Sequence, residues 1–234
     1  MTTSSSQYGQ FCPVAVASEI FAERWTPIVL RELFLGSTRF NDIHRGLPRM
    51  SRALLARRLR ELERVGVVKH GAEGDYRLTA AGEEFGDILI RLGEWGQRWT
   101  SRVDRDRLDS VLLMWDLRRR IAMDRLPEER VTVRFDYRGV PARQRRTFWL
   151  VVQRNDADVC YKDPGFEPQL YIDAELSAFT RVWLGDLTFA QAQLTGAIRL
   201  SGERRWARAF PSWLLLSSLA EVSRQGSINQ KRAA

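Results

Sequence analysis

The stretch SRALLARRLRELERVG, residues 51–66, is followed directly by two short alternating segments, VVKH and YRLT, that flank the turn GAEGD. Leu55, Leu59 and Leu62 recur at three- and four-residue spacing, which places them on one face of a helix. After Gly66 the period changes to two, and a glycine-containing turn between two such segments is typical of a β-hairpin. This order predicts an amphipathic helix that leads directly into a hairpin.

The neighbouring segments predict further helices, each with recognisable end signals. Pro13 suits the first turn of PVAVASEIFAE, and Gly36 suits the position just after WTPIVLRELFLG ends its helix. Thr38 is expected to cap RFNDIHRGL, and Ser51 is expected to cap the arginine-rich helix. Residues 80–99 return to the helical period, with one apolar stripe made up of Phe85, Ile88, Leu89, Leu92, Trp95 and Trp99.

The pattern changes after the charged segment RVDRDRLDS, residues 102–110, and we place a domain boundary there. A helix, SVLLMWDLRRRIAMD, precedes four alternating runs: VTVRFDY, TFWLVVQ, ADVCYK and PQLYIDA. Two helices (ELSAFTRVWLG and LTFAQAQLTG), a strand (AIRLSG) and a final helix (ERRWARAFPSW) follow. Clustered strands followed by clustered helices predict an α+β fold for residues 108–222. Residues 1–10 and 223–234 are expected to be disordered tails.

The composition narrows the class of protein. Hydrophobic residues make up 44% of the chain, which also has eight tryptophans, so we expect well-packed cores. Cys12 and Cys160 are the chain's two cysteines, which are too few for a disulfide framework. The N-terminus lacks the features of a signal peptide, and no apolar run approaches the ~18 residues that span a bilayer. We therefore expect a cytoplasmic protein with no membrane partner. The net charge of +8 favours a polyanionic partner, although an excess of 34 arginines over 3 lysines is also typical of codon bias.

The sequence carries no pattern typical of catalysis. His44 and His70 are its two histidines, and no metal-ligand spacing, phosphate-binding loop, nucleophile elbow or carboxylate pair is visible. We therefore expect no enzymatic activity, no catalytic residue, no metal site and no cofactor.

The helical face opposite the leucines has the composition of a groove-binding helix. It holds two small residues and three cations: Ala53, Ala56, Arg57, Arg60 and Arg64. Small residues let a backbone approach base edges, and arginines reach phosphates or guanine. The alternative is a solvated helix on which Glu61 and Glu63 pair with the arginines.

The distribution of charge around this helix favours DNA. Residues 39–70 hold nine basic residues against three acidic ones, whereas residues 1–105 carry a net charge of only +3. The hairpin adds basic residues that can reach the DNA backbone or the minor groove. The candidate DNA-binding residues are Arg39, Asn41, Arg49, Ser51, Arg52, Ala53, Ala56, Arg57, Arg60, Arg64, Lys69 and Arg77.

The order of helix, tight turn GLPRM, capped helix and hairpin is that of a winged helix-turn-helix. The motifs Cys12-Pro13, RWTPIVLREL, RFNDI, LPRMS, LLARRLRELE, GVV and YRLTAAG, within about residues 11–100, resemble the HxlR family of bacterial regulators. The resemblance implies a DNA-binding and dimerisation domain over residues 11–103, with Ser51–Val65 as recognition helix and Val67–Thr79 as wing. It also implies a homodimer formed through the terminal helices, PVAVASEIFAE and the helix around 82–101.

In some proteins of this family the cysteine before the proline senses oxidants or electrophiles, and Cys12 matches that position. A thiol at a helix N-terminus gains thiolate character from the helix dipole. No second cysteine lies in the terminal dimer helix to resolve an oxidised Cys12. The alternative role of Cys12 is a small residue that packs and caps the first helix.

Residues 108–222 resemble the sterol carrier protein type 2 fold, chiefly through DPGFEPQLYIDAELSAFTRVWLGDLTFAQAQLTGAIRLSGERRWARAF. That resemblance implies an α+β domain that encloses a small apolar ligand between sheet and helices. Aromatic residues at half-buried positions are, however, more often plain core. The candidate ligand-binding residues are Trp115, Trp149, Phe166, Trp183, Phe189 and Trp213.

Three hypotheses follow from these patterns. The first is a homodimeric DNA-binding regulator, more specifically a repressor, that binds an inverted-repeat operator and is controlled by a small apolar ligand. The second is a carrier of lipids or other apolar ligands in which the winged helix is an interaction module. The third is a redox switch that acts through Cys12.

Overall fold

The computed structural model describes residues 8–100 and 104–222. The chain forms two compact units, residues 1–93 and 94–234. The division falls inside the helix α5 (Ala80–Trp99), ahead of the boundary expected at residues 102–110. Phe85, near the start of α5, packs in the core of the first unit, whereas the Gln97 side chain donates to the Leu184 carbonyl of the second. The expected tails lie outside the described residues, apart from residues 8–10, which have no regular structure.

The first unit has the element order expected from the sequence. Its helices and strands are α1 (Pro13–Phe21), α2 (Thr26–Phe34), α3 (Phe40–Arg45), α4 (Arg52–Arg64), β1 (Val68–His70), β2 (Tyr76–Leu78) and the start of α5. Pro13 opens α1, and Gly36 follows α2 with a φ of +89°, the left-handed conformation that favours glycine. Both end signals are therefore confirmed.

The core of the first unit explains why α4 is held firmly. Leu55, Leu59 and Leu62 are buried against residues of α2 and α3, including Leu30 and Ile43. Full burial of a leucine side chain contributes about 1.5–3 kcal/mol, so the three together anchor the helix strongly. The remaining faces of α4 are left for other contacts.

Thr38 does not cap α3, so that prediction was wrong. The helix begins at Phe40, with Arg39 in the capping position and no side-chain capping bond. The Thr38 carbonyl instead accepts a hydrogen bond from the Tyr76 backbone N–H at 2.8 Å. That bond and the backbone bridge between Arg39 and Asp75 tie this segment to the hairpin, and the helix begins one residue later than expected.

The second unit is an α+β fold built on a five-stranded sheet. Its elements are α6 (Ser110–Arg119), β3 (Val131–Arg138), β4 (Thr147–Gln153), β5 (Asp156–Cys160), β6 (Leu170–Glu175), α7 (Leu176–Trp183), α8 (Phe189–Leu194), β7 (Ile198–Gly202) and α9 (Arg204–Trp213). The strand order is β5-β4-β3-β6-β7. β3 and β6 run parallel and the other neighbours are antiparallel, so the sheet is mixed.

One face of this sheet forms the core of the unit. On β3, Val133, Phe135 and Tyr137 are buried, whereas Arg134, Asp136 and Arg138 are partly exposed. The Phe135 ring lies 6.0 Å from that of Phe179 on α7. This alternation is the period of two read from the sequence, and the helices cover the apolar side.

Helix α6 is shorter than expected, because it ends at Arg119 rather than near residue 124. The Ala122 backbone N–H donates to the Trp213 carbonyl, and the Leu215 N–H donates to the Arg120 carbonyl. The residues after α6 therefore pair with the chain that follows α9 instead of continuing the helix. None of the helices in the described part of the chain is long and apolar enough to cross a bilayer.

Candidate nucleic-acid interface

The candidate interface is centred on α4, whose start is fixed by a side-chain cap. The Ser51 hydroxyl accepts a hydrogen bond from the Leu54 backbone N–H at 3.3 Å, which confirms the expected cap. Opposite the buried leucines, Arg57, Arg60 and Arg64 are exposed. The helix thus presents a row of cations from a rigid, capped support.

Ion pairs divide the arginines of α4 into two groups. Arg58 is nearly buried, with 11% of its side chain exposed, and pairs with both Glu23 and Glu61 at 2.5 Å. Arg57 is 58% exposed and pairs with Glu61 only at 3.6 Å. Arg60 and Arg64 form no ion pair with another described residue. The pairing of glutamates with arginines is therefore concentrated on Arg58, beside the core, and leaves the outer row accessible.

Helix α3 contributes a second set of candidate residues next to the start of α4. The Arg52 guanidinium donates to the Asn41 side-chain oxygen at 2.6 Å and lies 5.2 Å from the Phe40 ring centroid. Both candidate residues are exposed. The contact links the exposed surfaces of α3 and α4.

The hairpin forms a wing whose basic residues lie on adjacent strands. Lys69 and Arg77 occupy paired positions in the register of β1 and β2. The Arg39 guanidinium donates to the Glu73 carbonyl at the wing tip, and Arg39 also bridges to Asp75 through its backbone. Arg39 therefore holds the wing in place rather than projecting freely.

Asp75 is the electrostatic centre of the wing. Its carboxylate is 10% exposed and accepts from Arg77 Nε at 2.5 Å. The Arg77 hydrogen bond holds the pKa of Asp75 below its usual value, and the carboxylate in turn raises the pKa of Arg77. Gly71 packs so close to this carboxylate that a Cβ would overlap it.

We expect the Asp75–Arg77 ion pair to lose its stabilising contribution to the wing in acid. Since the folded wing lowers the pKa of Asp75, its stabilisation is complete above the ordinary value of about 4 and disappears as the pH falls through the lowered value. The backbone N–H resonances of Gly71 and Tyr76, followed by NMR from neutral to acid pH, should shift with a midpoint below about 4. Asp75→Asn should remove this transition and Glu73→Gln should retain it, whereas a midpoint at or above the ordinary value would contradict the pairing.

The twelve candidate DNA-binding residues lie at the start of α3 and on it, in the turn before α4, on α4 itself and on the wing. Eleven are exposed, and Ala56 is partly buried. The structure thus leaves nearly the whole set at the surface of the first unit, although Arg39, Arg52, Arg57 and Arg77 also bind partners within the protein.

One buried ionic contact was missed by the sequence analysis. Glu32, at the end of α2, has a fully buried side chain that accepts from Arg31 at 2.6 and 3.1 Å. Arg31 also donates to the Gly46 carbonyl at 3.2 Å, and a Cβ at Gly46 would overlap the Glu32 carboxylate. The contact fixes the end of α3, where the turn towards α4 begins. The sequence signal that could have indicated this contact is a charged residue within the apolar run TPIVLRELF.

The six candidate ligand-binding residues are not gathered around one site. Trp115, Trp183 and Trp213 are buried in the core of the second unit. Phe189 lies 6.0 Å from Phe210, whose ring lies 5.8 Å from Trp213, so these two candidates share one aromatic cluster. Trp149 and Phe166 lie beside the guanidinium groups of Arg134 and Arg130, respectively, and the buried Trp115 ring also has the Arg118 guanidinium over it.

Cys12 is an exposed, free thiol at the start of α1. It occupies the capping position, but its side chain makes no capping hydrogen bond. The capping role considered for Cys12 is therefore not seen, and the thiol is accessible to solvent.

Three short helices followed by a two-stranded wing, with exposed cations on the third helix of the motif, define a winged helix-turn-helix of the DNA-binding type. The family model for the HxlR-like helix-turn-helix matches residues 20–104. The HTH-type transcriptional regulator YdeP of Bacillus subtilis (strain 168) is 30% identical over 107 residues, which cover 43% of this chain and 84% of YdeP. YvaP of the same strain is 34% identical over 97 residues, covering 38% of this chain and 90% of YvaP.

The protein belongs to the HxlR-like helix-turn-helix family of transcriptional regulators. The chain is also similar to the solved structure of quinone-bound YodB from B. subtilis, with 29% sequence identity and a TM-score of 0.34. The match covers 36% of this chain and 96% of the YodB chain.

Proposed function

We propose that the protein is a homodimeric transcriptional regulator, more specifically a repressor, that reads an inverted-repeat DNA operator with α4 and its wing. The observation that carries the proposal is the exposed row of Arg57, Arg60 and Arg64 opposite the buried leucines of one capped helix. Planar guanidinium groups on a helix can make bidentate contacts to guanine in the major groove. Ala53 is exposed at the start of the helix and permits close approach to the bases.

The wing and α3 supply the remaining contacts in this proposal. Lys69 is exposed on the wing, and Asn41 and Arg52 are exposed beside the start of α4. Contacts of these residues with phosphates would fix the register of α4 in the groove without reading sequence. The wing and α3 are thus assigned backbone contacts, and the base-reading residues are placed on α4.

Dimerisation is supported by an apolar surface on α5. Ile88, Leu92 and Trp95 lie on one side of this helix and are 55%, 52% and 49% exposed. On α1, Val14 and Val16 are exposed as well. Exposed apolar side chains at helical spacing are typical of an interface, and a two-fold dimer buries the same surface from both protomers.

We expect Trp95→Ala to weaken the dimer about tenfold or more, because large aromatic side chains dominate interface energies. Sedimentation velocity over a range of protein concentrations measures the dissociation constant. Ile90→Ala is the matched control, since Ile90 is exposed on the opposite side of the same helix. Equal weakening by both variants, or by neither, would contradict an interface on the Trp95 side.

The proposal is tested by selecting preferred duplexes from random DNA with the full chain. A two-fold dimer should recover an inverted repeat whose half-sites lie about one helical turn, ~34 Å, apart. Recovery of no preferred sequence, or of single unpaired half-sites, would contradict it.

For the second unit we propose a sterol-carrier-like domain that binds a small apolar ligand and thereby changes DNA affinity. The proposal is supported by the mixed sheet with helices on one face and by the aromatic cluster around Phe189 and Trp213. The ligand would have to prefer one of two dimer geometries in order to act. If no member of a series of fatty acids and sterols changes the affinity for DNA, control of DNA binding by such a ligand is excluded.

The redox hypothesis is supported by the exposed thiol of Cys12 at a helix start. The hypothesis requires that an oxidant changes the affinity of the protein for DNA by reacting with the Cys12 thiol. The same response in Cys12→Ser as in the unmodified protein would rule it out.

A further inference from the structure

The hairpin loop between β3 and β4, residues 139–146, is a basic surface outside the winged helix. Its sequence GVPARQRR contains three arginines and no acidic residue. Arg143, Arg145 and Arg146 are all exposed. We call this segment the arginine loop.

The cations of the arginine loop lack the carboxylate partners that four other arginines of the same unit have. Elsewhere in the unit, Arg134, Arg138, Arg154 and Arg205 each pair with a carboxylate at 2.6–2.9 Å. Within residues 8–100 and 104–222, by contrast, no carboxylate forms an ion pair with any arginine of the loop. Their charge is therefore available to a partner.

Hydrogen bonds to the start of α6 hold the loop in one conformation. The Gln144 amide accepts from the Ser110 backbone N–H at 3.1 Å and donates to the Leu108 carbonyl at 2.9 Å. The Ser110 hydroxyl donates to the Arg145 carbonyl at 2.7 Å. A loop that is ordered before binding loses little conformational entropy when a partner arrives.

Arg143 also occupies a backbone position that ordinarily favours glycine. Its φ is +67°, and it is the third residue of a turn closed by a hydrogen bond from the Gln144 N–H to the Pro141 carbonyl at 3.2 Å. Side chains other than those of glycine and asparagine are disfavoured there. A long cation is thus kept at the tip of the turn despite a conformational cost.

We propose that the arginine loop is a second DNA contact of the regulator, which binds the phosphodiester backbone. The three cations are on an open surface, and the Arg145 guanidinium is further held by the Tyr161 carbonyl and lies 5.9 Å from the Tyr161 ring centroid. Guanidinium groups without a carboxylate partner suit phosphate oxygens, and such contacts carry no sequence information. The inference rests on the proposed DNA-binding function and deepens it.

The test compares Arg143→Ala/Arg146→Ala with Arg154→Ala/Arg205→Ala in the full chain. Both double variants lose the same charge, but the control arginines are paired with carboxylates. Affinity is measured over a salt series for the duplex selected above and for a random-sequence duplex. The loop variant should bind both duplexes about tenfold more weakly, and its salt dependence should flatten by about two units or more, while the control stays within about twofold of the unmodified protein.

The outcomes separate the two proposals. If the unmodified protein binds the selected duplex and the loop variant matches the control in affinity and salt dependence, the arginine loop does not contact DNA, and the function of α4 stands. If the unmodified protein binds no DNA, both proposals fail. Loss of binding to phosphatidylglycerol vesicles by the loop variant, with DNA binding unchanged, would assign the loop to an anionic membrane surface and would overturn the inference.

Discussion

Gly46→Ala is expected to destabilise the first unit by about 3 kcal/mol, the low end of the range for breaking a buried charged pair. The new Cβ would overlap the carboxylate of Glu32, whose side chain is fully buried. To make room, the carboxylate must leave Arg31 or α3 must move from α2. Either change leaves a buried charge with poorer hydrogen bonding, which is the costly result.

Urea unfolding of the variant, followed by circular dichroism, measures this loss. Gly96→Ala is the matched control because it adds the same methyl group to α5, where no described residue beyond the chain neighbours and the helix's own backbone lies within 4 Å of the new Cβ. That control should be unchanged or more stable by up to about 1 kcal/mol, the difference in helix propensity between glycine and alanine. A Gly46→Ala protein as stable as the unmodified one would show that the carboxylate can be moved at no cost.

Arg57→Ala/Arg60→Ala is expected to lower affinity for the selected operator by about 100-fold or more. An arginine that reads a base is worth about 1–3 kcal/mol of discrimination, and a dimer loses each contact twice. Among the residues that the structure describes, Arg60 has no ion-pair partner and Arg57 has only a long ion pair to Glu61, so the fold should tolerate the change. Circular dichroism and the unfolding midpoint should therefore match those of the unmodified protein.

The two arginines need not contribute in the same way. The single variant that removes a base contact should relax sequence preference at one operator position, whereas one that removes a phosphate contact should weaken binding to all duplexes alike and flatten the salt slope by about one unit. Affinity measurements on operators with single base changes distinguish the two. Equal affinity of the double variant and the unmodified protein for the operator would exclude α4 as the reading helix.

The elements that sequence reasoning recovered are those fixed by local pattern. The leucine spacing of α4, the Ser51 cap and the alternating residues of β3 each depend on neighbours within a few positions of the chain. The same is true of Pro13 and Gly36 at helix ends. Each of these signals depends only on residues close together in the sequence, so it could be recognised before the fold was known.

The remaining features depend on residues far apart in the chain. The Glu32 contact requires Gly46, at the end of a different helix, and the start of α3 depends on the backbone contacts of Thr38 and Arg39 with the hairpin. The periodicity of the sequence could not show that Trp213 lies in the aromatic core, whereas Trp149 lies on the other side of the sheet beside Arg134. The capping box of Thr188 and Gln191 on α8 was local and readable, but it was overlooked.

The most direct test of the central claim is the binding of the full chain to its selected operator in a salt series, beside Arg57→Ala/Arg60→Ala and the Arg154→Ala/Arg205→Ala control. We expect steep salt dependence, sequence preference and loss of binding in the first variant alone. Weak binding that ignores sequence and is the same in all three proteins would contradict the account, because the arginine face of α4 would then be only a solvated surface.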